Sequence, residues 1–154
     1  KGVLHHLQRG LDCGPSIIYN VAGRTGQDIP AEIIDELAQH PNFIGVKECA
    51  GNERIKRHHE QGILSWTGND DQYHEGVHGG FNCHGVISVT SNVAPAIMRS
   101  LTDNHNEELS DQVSPFMSWL FEQPNPIGVN TMMAMTGMCS PVFRAPYLPL
   151  DLKD

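Results

Sequence analysis

Phe43-Ile44-Gly45-Val46-Lys47-Glu48-Cys49 is the stretch on which the fold turns. Four of its first five residues are apolar or glycine, as in a strand covered on both faces, and a lysine ends the apolar run. Upstream, Ile33, Ile34, Leu37 and Ala38 recur at helical spacing. Asp28 is placed to cap that helix, Pro30 fits its first turn, and His40-Pro41 breaks it. Downstream, residues 52–60 are polar and predict a second helix. The same alternation continues in both directions. Ser16 to Val21 is a strand candidate preceded by an amphipathic helix over 3–12 that Gly14-Pro15 closes, and Gly23 and Gly26 mark the loop after the strand. Ile63 to Thr67 and Gly85 to Val89 are two more strands, with a helix over about 72–79 between them. Four strand-helix units with apolar strands indicate a parallel sheet. It is either an open doubly wound sheet or half of an eight-fold barrel. No GxGxxG follows the first strand, which argues against dinucleotide binding.

Beyond residue 92 the strand signal stops. Residues 93–102, 106–121 and 126–137 predict helices, the middle one carrying Leu109, Val113, Phe116, Met117, Leu120 and Phe121 on its apolar face. The proline-rich tail from Pro141 to Asp154 predicts irregular chain.

Composition narrows the function classes. With 39% hydrophobic and 18% charged residues, the 154-residue chain is globular in type. A net charge of −8 with scattered lysines and arginines gives no basic patch for nucleic acid. No run approaches the roughly 18 apolar residues of a membrane span. The chain opens on Lys1 without a signal or transit pattern, so a longer natural chain is expected. Cys13, Cys49, Cys83 and Cys139 form no CxxC pair and read as free thiols, Cys49 as a buried one. Among nine histidines, His74 and His78 are four apart and His84 is close in sequence, but spacing fixes no third ligand, so solvated histidines are expected and no metal.

In either architecture the site lies at the carboxyl ends of the strands. The residues there are Tyr19 and Arg24, then Lys47 and Glu48, then Gly68-Asn69-Asp70-Asp71, then Ser91 and Asn92. Lys47 stands out, because a lysine ending an apolar run is either paired or functional. Burial would lower its pKa and release the neutral amine as a carbonyl nucleophile. Equally, it could bridge a carboxylate such as Glu48 or one of the Asp70-Asp71 pair. Tyr19 suits proton relay or plain packing. Arg24 suits a carboxylate ligand or a solvated surface. Asp70-Asp71 suits helix capping better than acid-base work.

At these residues the chain resembles a known family. Ile18-Tyr19-Asn20-Val21-Ala22-Gly23-Arg24-Thr25-Gly26 is similar to the YNVPxRTG segment of dihydrodipicolinate synthases (4-hydroxy-tetrahydrodipicolinate synthases). Ile44 to Cys49 is similar to the segment carrying their Schiff-base lysine. Trp66 to Asp71, Gly85 to Val89 and Gln123-Pro124-Asn125-Pro126-Ile127 match in the same order, and the wording is nearest to plant or green-algal forms.

The resemblance implies an α/β fold, the C-terminal half of a (β/α)8 TIM barrel followed by a helical region. Residues 1–92 would hold strands five to eight, and residues 93–154 the last barrel helix and the helical region. It implies an enzyme of lysine (diaminopimelate) biosynthesis that condenses pyruvate with L-aspartate 4-semialdehyde, without metal or organic cofactor. Lys47 would form the Schiff base, Tyr19 would relay protons, Arg24 would hold the aldehyde's carboxylate, and the Gly68 and Ile87 backbones would line the pyruvate pocket. A homotetramer is implied, with a plastid location in a plant or alga and a cytoplasmic one elsewhere. Ala22 departs from the pattern, since the family has proline there, and a less rigid loop is expected. The same barrel also serves N-acetylneuraminate lyases and keto-deoxy-sugar-acid aldolases, which share the lysine and tyrosine, and Arg24 favours the synthase. A further relay threonine, a second tyrosine and the allosteric lysine pocket would come from the other half-barrel, so residues 1–154 alone are expected to be inactive.

Overall fold

The structure is a computed structural model describing residues 1–150. Helix α1 (Gly2–Leu11) leads into β1 (Ser16–Asn20), a single turn α2 (Ala22–Thr25) and α3 (Ala31–Leu37). Strand β2 (Phe43–Glu48), α4 (Asn52–Glu60), β3 (Ser65–Thr67) and α5 (Tyr73–His78) follow. The strands form one parallel sheet in the order β1-β2-β3. Three longer-range helices come later, α6 (Pro95–Asp103), α7 (Glu107–Phe121) and α8 (Ile127–Met135). The chain divides into two compact units, the first ending at Ile87 and the second starting at Ser88.

Register explains how the first unit is built. Ile18 lies beside Val46 and Val46 beside Ser65; Asn20 lies beside Glu48 and Glu48 beside Thr67. All six are buried. Side chains alternate across a strand, so these two rows share the rear face. The apolar part of that face packs under helices, where Leu11 of α1 and Ile34 and Leu37 of α3 join Ile18, Val46 and Ile63 in one core. Burying each such side chain contributes roughly 1.5–3 kcal/mol.

The intervening row, Tyr19-Lys47-Trp66, points forward. Two glycines make room for its tryptophan. A Cβ on Gly45 would strike the Leu64 carbonyl oxygen and come within 2.8 Å of the Trp66 ring, and one on Gly85 would lie 3.2 Å from that ring. Large apolar residues of the sheet remain open. Ile17, Ile44, Leu64 and Ile87 are each more than 40% exposed. Residues 1–154 expressed alone are therefore expected to self-associate, because an open apolar sheet seeks cover. Sedimentation velocity checks this, and a monodisperse monomer at tens of micromolar would contradict it.

Three sequence expectations change. The fourth strand, Gly85 to Val89, is reduced to one bridge between Thr67 and Val86. Its bonds to β3 run from the His84 N–H to the Ser65 oxygen, the Thr67 N–H to the Gly85 oxygen and the Ile87 N–H to the Thr67 oxygen. It stops because the chain turns at Ser88, whose hydroxyl oxygen accepts the Ser91 N–H at 2.9 Å. Asp28 does not cap α3. Pro30 holds the cap position, and Asp28 instead meets Asn20 and Arg54. The loop at Gly23 contains the turn α2, which closes on Gly26 at φ +73°, a left-handed conformation suited to glycine.

In the second unit, Asn106 caps α7 by accepting the Leu109 N–H at 3.0 Å, with Glu107 and Glu108 in the first turn. Val113, Met117 and Leu120 are its buried stripe. Among the described residues no helix is long and apolar enough to cross a membrane.

Candidate active site

Tyr19 and Lys47 are register partners on β1 and β2, one residue before each strand ends. Partners in a parallel pair point the same way, so phenol and amine must meet at the carboxyl end of the sheet. They do, with the Lys47 Nζ 4.2 Å from the Tyr19 ring centroid. That is cation–π distance. Lys47 is half-buried, not enclosed as its apolar run suggests, because the front face of the sheet is open. Among the described residues it makes no ion pair with Glu48, Asp70 or Asp71.

Gly68 follows β3 directly against this lysine. A Cβ there would overlap the Cys49 sulfur and lie 2.8 Å from the Lys47 Cε. The absence of a side chain at Gly68 is what lets the lysine stem pass. Cys49 lies against Gly68, and its thiol and the Tyr19 hydroxyl are close enough to influence each other's protonation. Burial and the neighbouring thiol push the Tyr19 hydroxyl above the usual phenol range, against the pull of the Arg24 charge. Burial pushes the Cys49 thiol up too, opposed by the neighbouring Tyr19 hydroxyl and by Lys47. Both groups therefore hold their protons at neutral pH, and Tyr19 has one to give.

Arg24 stands exposed on α2, close enough to act on both Tyr19 and Cys49 through its charge. Ala22 takes the first position of this turn, the position where proline fits a helix without losing a bond. Ile87 is placed beyond β3, its N–H spent on the Thr67 oxygen. Asp70 and Asp71 open a short 3-10 turn with Asn69 at the cap. The His74 and His78 rings lie with centroids 4.9 Å apart, tilted by 53°, and no group of three metal-ligating side chains occurs among the described residues. All four cysteines are free, Cys49 being only half-buried.

Sequence reasoning missed Cys49 as a neighbour of Tyr19. It also missed a polar network behind the site, centred on Glu48 and reaching His58. Alternation along the strand could have turned Glu48 to the rear, but nothing in the spacing announces His58 as its partner.

Parallel strands joined by helices, with an amine and a phenol close together at their carboxyl ends, define a β/α protein with a lysine at its candidate site. More narrowly, the chain belongs to the Dihydrodipicolinate synthetase family, whose pattern matches residues 1–154. The chloroplastic 4-hydroxy-tetrahydrodipicolinate synthase 1 of Arabidopsis thaliana is 52% identical over 155 residues, covering 99% of this chain and 42% of that protein. The chloroplastic synthase 2 of Triticum aestivum is 50% identical, covering 99% and 40%. The chloride-inhibited dihydrodipicolinate synthase of Acinetobacter baumannii, solved with pyruvate, superposes with a TM-score of 0.86 at 26% identity, over 99% of this chain and 56% of that one. The chain thus spans about two-fifths of the length of these curated relatives.

Proposed function

We propose that the protein carrying this chain is a Schiff-base synthase that condenses pyruvate with L-aspartate 4-semialdehyde on the route to lysine. The observation that carries this is the Lys47 amine held over the Tyr19 ring at the strand ends. The neutral amine attacks the pyruvate ketone, and water leaves to give an imine. The imine draws electrons from the methyl group, which loses a proton and becomes an enamine carbon. That carbon adds to the aldehyde, and the amine of the second substrate then closes the ring and frees Lys47. Tyr19, protonated and next to the amine, is the group suited to deliver and recover protons. Arg24 is suited to the carboxylate of the incoming aldehyde. Gly68 and Ile87 border the space for pyruvate. The imine is itself the electron sink, so the sequence of steps draws on no cofactor.

The architecture proposed is strands five to eight of a (β/α)8 barrel over residues 1–92, with the last barrel helix and a helical region over 93–154. A homotetramer in the plastid is proposed for the complete protein, in keeping with its chloroplastic relatives.

Turnover by the full-length protein decides the substrate. Activity is expected with pyruvate plus aspartate semialdehyde, and none with pyruvate plus N-acetylmannosamine. The opposite pattern would overturn the reading. Arg24→Ala should raise KM for the semialdehyde about tenfold and leave pyruvate imine formation unchanged. Steady-state kinetics alongside borohydride trapping separates the two effects.

A further inference from the structure

Directly behind Tyr19 and Lys47 stands a connected set of polar groups, fully buried at Glu48 and His58 and nearly so at Asn20. Asn20 follows Tyr19 and Glu48 follows Lys47, and the two are register partners. Alternation turns them to the rear, where Asn20 is 1% and Glu48 0% exposed. The Asn20 Nδ2 donates to the Glu48 Oε1 at 2.7 Å, across the two strand ends. The same Glu48 oxygen accepts the Ala50 N–H at 2.9 Å, and the other oxygen lies 3.1 Å from the His58 Nε2 on α4. The Asn20 Oδ1 accepts the Ile29 N–H at 3.0 Å, while its Nδ2 also reaches Asp28 at 2.7 Å. Arg54 of α4 completes the loop, donating to Asp28 at 2.8 Å and to the Ile29 oxygen at 3.0 Å.

Burying a carboxylate and an amide here costs free energy that an apolar pair would not. What hydrogen bonds provide and apolar contact does not is direction. The bonds made by Asn20 and Glu48 fix the last residue of each strand, and each of those residues directly follows one carrying a candidate reactive group. A slip of one residue between β1 and β2 would break the Asn20–Glu48 bond and separate the phenol from the amine together.

We propose that Asn20 and Glu48 are positioning residues for the imine step, a clamp on the rear of the sheet that sets Tyr19 opposite Lys47 on the front. This rests on the Schiff-base reading above. The clamp works through geometry, so length at position 48 matters more than charge. Gln at that position keeps an oxygen for Asn20 and Ala50. Asp keeps the charge but is one methylene too short to reach both.

The test is the rate at which pyruvate with borohydride fixes a reduced adduct on Lys47 in the full-length protein, read by mass, with thermal unfolding followed in parallel. At saturating pyruvate, Glu48→Asp and Asn20→Ala should each trap about tenfold more slowly than wild type. Glu48→Gln should stay within about threefold. Should Asn20→Ala fail to fold, the Glu48→Asp and Glu48→Gln pair decides alone. Wild-type trapping rates in Glu48→Asp, or an equal loss in Gln and Asp, would overturn the clamp while leaving the Schiff-base reading standing. No adduct on Lys47 in the wild-type protein would overturn that reading itself, and the clamp with it.

Discussion

Replacing Lys47 with arginine is expected to abolish the borohydride-fixed pyruvate adduct and to lower turnover by about four orders of magnitude. Arginine is the informative substitution. Its guanidinium stays charged and forms no imine under these conditions, yet it can still lie over the Tyr19 ring as the Lys47 Nζ does at 4.2 Å. No ion pair is lost, since Lys47 makes none among the described residues. Stability should therefore move by less than about 1 kcal/mol. Thermal melting and adduct mass, measured on one preparation, separate loss of chemistry from loss of fold. A variant that still turns over at a tenth of the wild-type rate would remove Lys47 from the mechanism.

The second large effect is expected at Gly68. An alanine there places its methyl group on the Cys49 sulfur and 2.8 Å from the Lys47 Cε. Neither neighbour is backbone, so the fold can yield, at a cost of about 1–3 kcal/mol. The lysine cannot yield without moving its nitrogen, and a shift of about 1 Å at a reacting group lowers rate roughly a hundredfold. Gly68→Ala should thus slow imine formation far more than it lowers the melting temperature. Adding Cys49→Ala removes the sulfur and gives the methyl group a place to go, so the double variant should regain part of the rate. Effects of the two substitutions that simply add would show that the crowding is not shared.

Much of this was legible in the chain itself. The strands expected at 16–21 and 43–49 follow from apolar runs and the helix at 52–60 from a polar stretch between them and the next strand, and all three form, each strand one residue shorter. The fourth strand failed because Gly85 to Val89 has the composition of a strand but the chain turns at Ser88 after a single bridge, and composition does not report where a chain turns. Asp28 was misread for a similar reason. An acid two residues before a proline looks like a cap, but Asn20 and Arg54, distant in sequence, claim it. Lys47 could be singled out because a charge at the end of an apolar run is costly. That Tyr19 would be its partner needed the register between β1 and β2, which no local pattern contains. The role of Gly68 was hidden for the opposite reason, since what matters there is a missing side chain. In sequence that glycine looks like any turn residue.

The alternation of β1 and β2 has an evolutionary consequence. Anchorage and reactivity occupy opposite sides of the same ribbon, so the two can be mutated separately. Residues around the open front, Arg24 among them, can change toward a different aldehyde without unfastening the strands. The rear pair cannot vary so freely, because every descendant enzyme that keeps the lysine inherits the need to hold it still.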